Sequence, residues 1–208
     1  TSYGEHFAIE DGGFILGSDL DGLVRSTGLS AANLSACVSG DATRSELRHC
    51  VTTLLDASVR TAGAHDVDVL IDCVLGIDEA RLLPGLHRAP IATLRAYDRE
   101  NTHLLRPPAE SYTPYAETVR LLALVPEDGT LLDCGAGNGR VHVVAACRRP
   151  DVSVYGFEVV SERCVLARQA LARLGEARGA VLLQTLGRKR QRPLPPADVV
   201  YIFNSFAP

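Results

Sequence analysis

The 208-residue chain lacks several features that would assign it to a class at once. It contains no methionine and no tryptophan and begins with Thr1, so we expect its beginning to be missing or processed. No run of about 18 apolar residues is present, and no membrane span is predicted. The sequence contains no C-x-x-C, H-x-x-x-H or H-E-x-x-H pattern either. It therefore predicts neither a membrane protein nor a metalloprotein.

The composition is that of an ordinary globular protein with a small excess of acid. Apolar residues make up 46% of the chain, enough for a sizeable core. The net charge of −4 argues against nucleic-acid binding by the chain as a whole. The six cysteines have no regular spacing; we interpret them as buried thiols in a reducing compartment, which predicts a cytoplasmic protein. The basic cluster at residues 188–192 is either a solvated loop or a surface for an acidic partner.

Three alternating glycines follow an apolar strand in the most informative segment of the chain. Gly135, Gly137 and Gly139 come after the segment 130–134, and a second apolar segment ends at Glu158. Glycines let a backbone turn sharply and approach a ligand that a Cβ atom would block. The opening amides of the next helix can donate to that ligand, and a carboxylate can accept from two ribose hydroxyls. The pattern predicts a strand–turn–helix–strand unit that holds an adenosyl group.

The glycine spacing separates two classes of nucleotide site. A dinucleotide site uses G-x-G-x-x-G, and the third glycine of that pattern would fall at Arg140. The chain instead has G-x-G-x-G, with Asp133 two residues before Gly135. An NAD(P)-dependent oxidoreductase is therefore a weaker alternative.

The glycine segment resembles motif I of the class I S-adenosylmethionine (SAM) methyltransferases. The resemblance implies SAM as the cofactor, with Asp133 orienting the glycine turn and facing the methionine ammonium. It also implies that Glu158 holds the ribose of SAM. The segment 112–117 lies where family members fold a flap over the methionine end. The implied cofactor-binding residues are Tyr112, Thr113, Asp133, Gly135, Ala136, Gly137, Gly139 and Glu158.

The resemblance extends over residues 112–208, about half of the chain. The order of segments looks like that of a little-characterised group of small class I methyltransferases. Those proteins have T-P-Y before the first strand and an F-N-P-F-like motif IV after the fourth. The chain is more distantly similar to the nucleosomal lysine methyltransferases that lack a SET domain. By this resemblance the catalytic residues are Asn204, which would hydrogen-bond an amine acceptor, Phe206, which would stack nearby, and Tyr115, which would shape the acceptor pocket.

Two departures from the group leave turnover open. Ser205 stands where the group usually has a proline, and residues 187–190 follow the third strand where many members have an acid that contacts adenine. Adenine recognition would then fall to a backbone group, to Gln184 or to Thr185.

The leading hypothesis is a SAM-dependent methyltransferase acting on a nitrogen of a protein or small amine. Nucleic acid is a less favoured acceptor. The alternative is a non-catalytic, methyltransferase-like scaffold module. The sequence does not predict an oligomeric state.

We predict an α/β fold with a Rossmann-like class I methyltransferase core at residues 107–208, truncated after its fourth strand. Residues 1–106 are predicted to form a mainly helical cap or accessory segment. The proline-rich segment 106–110 is a stiff linker between the two.

Local signals predict individual elements. Thr43 and Glu46 have the spacing of a capping box, which predicts a helix that ends before Gly63. Residues 67–75 fit a helix or a strand, and we favour a helix; residues 14–16 are a possible short strand. Thr113 is predicted to cap a helix with Pro114 in its first turn. The later strands are predicted at residues 152–157, 180–186 and just before Asn204.

Overall fold

The structure is a computed structural model that describes residues 7–10, 13–16, 22, 24–25, 27–61, 65–78, 112–158, 160–175, 181–182 and 195–203. Asn204, Phe206, the basic cluster 188–192 and the linker 106–110 lie outside the described residues. The elements in chain order are β1 (Phe7–Glu10), β2 (Gly13–Leu16), α1 (Ala31–Ser39), α2 (Arg44–Arg60), α3 (His65–Leu75), α4 (Tyr115–Leu122), β3 (Thr130–Cys134), α5 (Arg140–Arg148), β4 (Ser153–Phe157), α6 (Ser161–Leu174), β5 (Val181–Leu182) and β6 (Val199–Ile202).

A parallel sheet with the strand order β5-β4-β3-β6 forms the centre of the C-terminal half. Strand β3 pairs with β4 on one side and β6 on the other, so that Leu131 lies opposite both Val154 and Val199. Leu131 and Leu132 are buried, as expected for a central strand covered on both faces. This architecture of helices and a parallel sheet is compatible with the predicted Rossmann-like α/β fold.

The strand order places a switch point beside β3. From β3 the chain moves outward through β4 to β5, and then returns to the opposite side of β3 to form β6. The carboxyl ends of β3 and β6 therefore flank a crevice, and ligands of open α/β sheets bind at such a point. The glycine turn begins in this position, directly after β3.

Two of the helices before the sheet, α2 and α3, lie close to their predicted positions, whereas α1 was not predicted. The Thr43 side chain accepts from the backbone of Glu46 and the Glu46 carboxylate accepts from the backbone of Thr43, which confirms the capping box of α2. Helix α3 confirms the preference for a helix over a strand, because its Leu70 and Ile71 are both buried against the core. The possible short strand at 14–16 is present as part of β2, which pairs with β1 in an antiparallel arrangement.

Helix α2 packs against α4, α5 and α6, the helices beside the sheet, while α1 and α3 pack against α2 and each other. The buried apolar side chains of both halves form one continuous cluster that includes Leu54, Ile71 and Leu131. Arg48 on α2 donates to the backbone carbonyls of Leu174, at 3.0 Å, and Ala146, at 2.7 Å. These carbonyls lie near the ends of α6 and α5, where helices leave acceptors unpaired. The predicted boundary between 1–106 and 107–208 stays a prediction.

One local prediction is wrong. The residue preceding α4 is Pro114, and no side chain caps this helix. The hydroxyl of Thr113, predicted to be the cap, instead shares a 2.6 Å hydrogen bond with the hydroxyl of Tyr201 on β6. The Thr113 hydroxyl therefore bonds to a residue of a distant segment instead of capping the next helix.

No helix within the described residues is long and apolar enough to cross a membrane.

Candidate functional site

The glycine turn after β3 is held against the end of β4 by backbone hydrogen bonds. The N–H groups of Gly135 and Ala136 both donate to the carbonyl of Phe157, at 2.9 and 2.8 Å. Gly135, Gly137 and Gly139 have φ values of 98°, 55° and 89°, which side-chain-bearing residues rarely adopt. The sequence therefore needs glycine at these positions to make this turn.

Glu158 is buried at the end of β4 and holds the turn with its carboxylate. Its Oε2 accepts the N–H of Gly137 at 2.7 Å, and its Oε1 accepts the N–H of Val160 at 2.8 Å. Each carboxylate oxygen has two acceptor sites, so each retains one for a further donor. Glu158 can therefore accept from two hydroxyl groups without releasing the turn.

Two buried acceptor oxygens beside the turn lack donors among the described residues, and the hydroxyl of Tyr112, whose ring lies over the turn, is also unpaired. Within the part of the chain that the structure describes, Asp133 Oδ2 and Asn138 Oδ1 have no hydrogen-bond partner. The Asn138 amide nitrogen donates to the carbonyl of Ile77 at 3.0 Å, which leaves its oxygen as the remaining group. Buried polar atoms are nearly always paired, so these two acceptors indicate a site for a donor-rich or cationic group.

The environment of Asp133 also favours a site for a cationic group. Burial, and then the charge of Glu158, raise the pKa of Asp133 to about 7. The ionised form is therefore poorly stabilised by the protein alone. A bound cation would favour the carboxylate and lower this pKa.

A small, partly open pocket of about 20 Å³ lies beside Asp133 and Asn138. Tyr201 and Phe203 contribute nearly parallel rings to its wall, with centroids 6.4 Å apart and planes inclined by 2°. Other lining residues are Tyr112, Thr113, Gly135, Ala136, Arg140 and Val141.

Tyr112 covers the glycine turn. A Cβ atom on Gly137 would come within 2.6 Å of Tyr112 Cε1, so only glycine allows this ring to lie so close. The ring also lies near two guanidinium groups, at 5.2 Å from that of Arg140 and 5.6 Å from that of Arg163. These are distances at which a cation is attracted to an aromatic face.

The structure brings most of the predicted cofactor-binding residues together. Asp133, Gly135, Ala136, Tyr112 and Thr113 line the pocket. Gly137, Gly139 and Glu158 are not among the lining residues: Glu158 is bonded to Gly137 within the turn, and Gly139 is the residue that precedes α5.

Tyr115 does not fit the acceptor-pocket role predicted for it. Its side chain is fully buried, and its hydroxyl donates to Asp72 Oδ1 at 2.8 Å. It lies outside the set of pocket-lining residues. This geometry supports a structural role. Asn204 and Phe206, the other two predicted catalytic residues, lie beyond the described part of the chain.

Sequence reasoning missed five of the pocket-lining residues, among them Val141, which was expected only as part of the helix after the turn. Asn138 stands inside the glycine motif, so its position was available as a signal. Tyr201 and Phe203 are at the end of the predicted fourth strand, where alternation along a strand places them on one face. Arg140 was noted only as the residue that breaks the dinucleotide pattern.

The fold is compatible with a Rossmann-like α/β unit, and comparison with known proteins adds one distant similarity. The chain is 30% identical over 119 residues to the ribosomal RNA small subunit methyltransferase G of Anaeromyxobacter sp. (strain Fw109-5). The aligned region covers 57% of this chain and 55% of that protein, so the chain spans about half the length of the curated relative it matches. No family profile matches the chain. No solved structure matches it either. The chain therefore has a distant similarity to a methyltransferase.

Proposed function

We propose that the chain is a SAM-dependent methyltransferase. The observation that carries the proposal is the pair of buried acids Asp133 and Glu158, which lie at the carboxyl ends of neighbouring parallel strands on either side of the glycine turn. The distant similarity to a methyltransferase favours SAM over other adenosyl ligands. When bound, SAM supplies a methyl group activated by an adjacent sulfonium.

The residues of the site fit the chemistry of this cofactor. Glu158 has acceptor positions left for two ribose hydroxyls after holding Gly137 and Val160. Asp133 Oδ2 and Asn138 Oδ1 are the unpaired acceptors that an ammonium group needs. A site rich in carboxylates also suits a ligand that carries a positive charge.

Alignment of donor and acceptor is the main task of such an enzyme. Holding two reactants in position can supply about 7–11 kcal/mol of a reaction barrier. We assign this task to the pocket mouth, where Tyr201 and Phe203 provide apolar walls. Asn204 follows directly in the sequence, and we propose that its side-chain carbonyl orients an amine acceptor while Phe206 stacks beside it. The proposed acceptor is a nitrogen of a protein or small amine.

RNA is a second candidate acceptor. The observation in its favour is the similarity to a protein named as a ribosomal RNA methyltransferase. The basic cluster 188–192 is a sequence feature that agrees with it. Parallel aromatic rings such as those of Tyr201 and Phe203 also offer stacking surfaces to a base.

Transfer of label from SAM tests the proposal. The folded chain is incubated with SAM carrying a tritiated methyl group and with separate protein, RNA and small-amine fractions of a cell extract. We expect label in one fraction, lost when Glu158 is replaced by alanine. Binding of SAM without transfer to any fraction would favour the scaffold alternative, for which Ser205 in motif IV is the motivating feature.

A further inference from the structure

Arg140 connects the glycine turn to the N-terminal helices. It is the first residue of α5 and is 8% exposed. Its Nε donates to Asp72 Oδ1 of α3 at 3.1 Å, and its Nη2 forms an ion pair with Asp72 Oδ2. Its Nη1 donates to the backbone carbonyl of Thr113 at 3.1 Å. One planar guanidinium therefore binds a carboxylate and a backbone carbonyl from two different segments.

Helix α3 supplies a second acid one turn earlier. Asp68 is 3% exposed, and its Oδ2 accepts the backbone N–H of Tyr115 at 3.0 Å. Its Oδ1 accepts the Ser58 hydroxyl at 2.8 Å, and its Oδ2 lies 3.8 Å from Arg140 Nη1. Asp72 in turn accepts the Tyr115 hydroxyl. The two acids thus hold the backbone and side chain of Tyr115 while they neutralise Arg140.

These contacts converge on residues 112–115, which we name the strap. Arg140 binds the strap at the Thr113 carbonyl, and Asp68 binds it at the Tyr115 amide. The Thr113 hydroxyl bonds to Tyr201, and Tyr112, which precedes both anchors, lies over the glycine turn. The strap therefore forms part of the pocket wall and is fixed mainly from α3 through Arg140.

The buried charges of Arg140 and Asp72 depend on each other. Burial raises the pKa of Asp72, and the charge and hydrogen bonds of Arg140 oppose that rise. Removing one member would leave a buried charge without a partner, whereas a lysine would keep the charge. A lysine has no planar fork, however, and cannot hold two partners in this geometry.

We propose that Arg140 is a positioning residue for the cofactor pocket, and that Asp68 and Asp72 of α3 hold it and the strap in place. The N-terminal helices then contribute directly to the site instead of only covering the sheet. The identity of the ligand in this proposal, SAM, rests on the proposed function. The order of the strap itself is independent of that identity.

Two arginine-to-lysine variants test this role. Arg140→Lys keeps the charge beside Asp72 but removes the bond to the Thr113 carbonyl. Arg48→Lys is the matched control, because Arg48 also bridges two backbone carbonyls but lies away from the pocket. We expect Arg140→Lys to weaken binding of S-adenosylhomocysteine at least fivefold and to speed hydrogen exchange of the Tyr115 amide. Arg48→Lys should lower the melting temperature without changing either quantity.

The outcomes separate this proposal from the proposed function. Unchanged affinity and unchanged exchange at Tyr115 in Arg140→Lys would overturn the positioning role, as would equal loss of affinity in both variants. Failure of the unaltered chain to bind would count against the proposed function, while the exchange comparison would still test the strap. If Arg140→Lys does not fold, the neutral pair Asp72→Asn with Arg140→Gln replaces it, with the same expected losses and the same overturning result.

Discussion

The Oε2 atom of Glu158 accepts the backbone N–H of Gly137 at 2.7 Å. This bond joins the end of β4 to the middle of the glycine turn after β3, so the acid and the turn hold each other in place. Glu158 also accepts from Val160, which fixes the orientation of its carboxylate. The acid is therefore positioned by backbone groups, and each of its two oxygens keeps one unused acceptor site.

Replacing Glu158 should weaken cofactor binding more than it weakens the fold. A glutamine keeps one carbonyl oxygen but turns an amide toward one of the two backbone donors. We expect Glu158→Gln and Glu158→Ala each to lower the affinity for S-adenosylhomocysteine by tenfold or more, about 1.4 kcal/mol. Isothermal titration calorimetry measures this change. Wild-type affinity in the alanine variant would contradict the assigned role.

Replacing Asp133 should stabilise the protein and weaken binding at once. Its pKa is raised to about 7 from 3.8, so the unfolded chain ionises first as the pH rises. The folded state therefore loses stability between about pH 4 and pH 7, by on the order of 4 kcal/mol. Asp133→Asn removes this loss. We expect its stability advantage over the wild type, measured by urea unfolding, to be larger at pH 8 than at pH 5.

The same variant separates a ligand site from a merely structural acid. If Asp133 receives an ammonium group, Asp133→Asn should bind S-adenosylhomocysteine at least tenfold more weakly despite its greater stability. The change should be much smaller for 5′-methylthioadenosine, which has no amino-acid group. Equal losses for both ligands would show that Asp133 does not face the amino acid.

His142 should make the fold sensitive to acid. Its side chain is buried on α5, and neither ring nitrogen has a hydrogen-bond partner among the described residues. Burial lowers the pKa of His142 to about 4 from 6.5. Protonation of His142 is therefore less favourable in the folded state than in the unfolded chain. The folded state loses on the order of 3 kcal/mol of stability as the pH falls from about 6.5 to about 4.

A leucine at position 142 isolates this effect. Because leucine cannot ionise, His142→Leu should gain stability relative to the wild type as the pH is lowered from 7.5 to 5. The difference in unfolding free energy between the two proteins measures it and cancels the opposite trend due to Asp133. A difference that does not vary with pH would show that His142 is not the acid-sensitive group.

Gly137 should tolerate a side chain less well than a glycine of similar conformation elsewhere. Gly40 at the end of α1 has a φ of 90° and no heavy atom within 4 Å of an added Cβ, so Gly40→Ala meets backbone strain alone, about 1–2 kcal/mol. Gly137→Ala adds a collision with the Tyr112 ring. We expect binding of S-adenosylhomocysteine to be lost in Gly137→Ala and kept in Gly40→Ala. Normal binding by Gly137→Ala would show that Tyr112 is not fixed on the turn.

Local sequence signals predicted much of the framework of the site. The capping box at Thr43 correctly placed the start of α2, because its two hydrogen bonds involve residues only three positions apart. The glycine spacing predicted a turn after β3, because a left-handed backbone strongly favours glycine. The acid after the second apolar segment lies at the end of β4 for the same local reason: strand, turn and acid are consecutive in the chain.

Contacts between distant segments could not be predicted from local sequence signals. Asp72 and Arg140 are 68 positions apart, and no periodicity links them. Thr113 was expected to serve its own helix, yet a tyrosine 88 positions away supplies its partner. Tyr115 was expected at the acceptor, and the buried acids of α3 hold it instead. In each case the choice of partner depends on packing between segments.

Titration of S-adenosylhomocysteine into the folded chain tests the central claim most directly. Calorimetry should show one site with a dissociation constant in the micromolar range, about −8 kcal/mol. It should show much weaker binding for the Glu158→Ala variant. The absence of binding at millimolar ligand, in a protein whose cooperative unfolding proves it folded, would contradict the proposal that this pocket holds SAM.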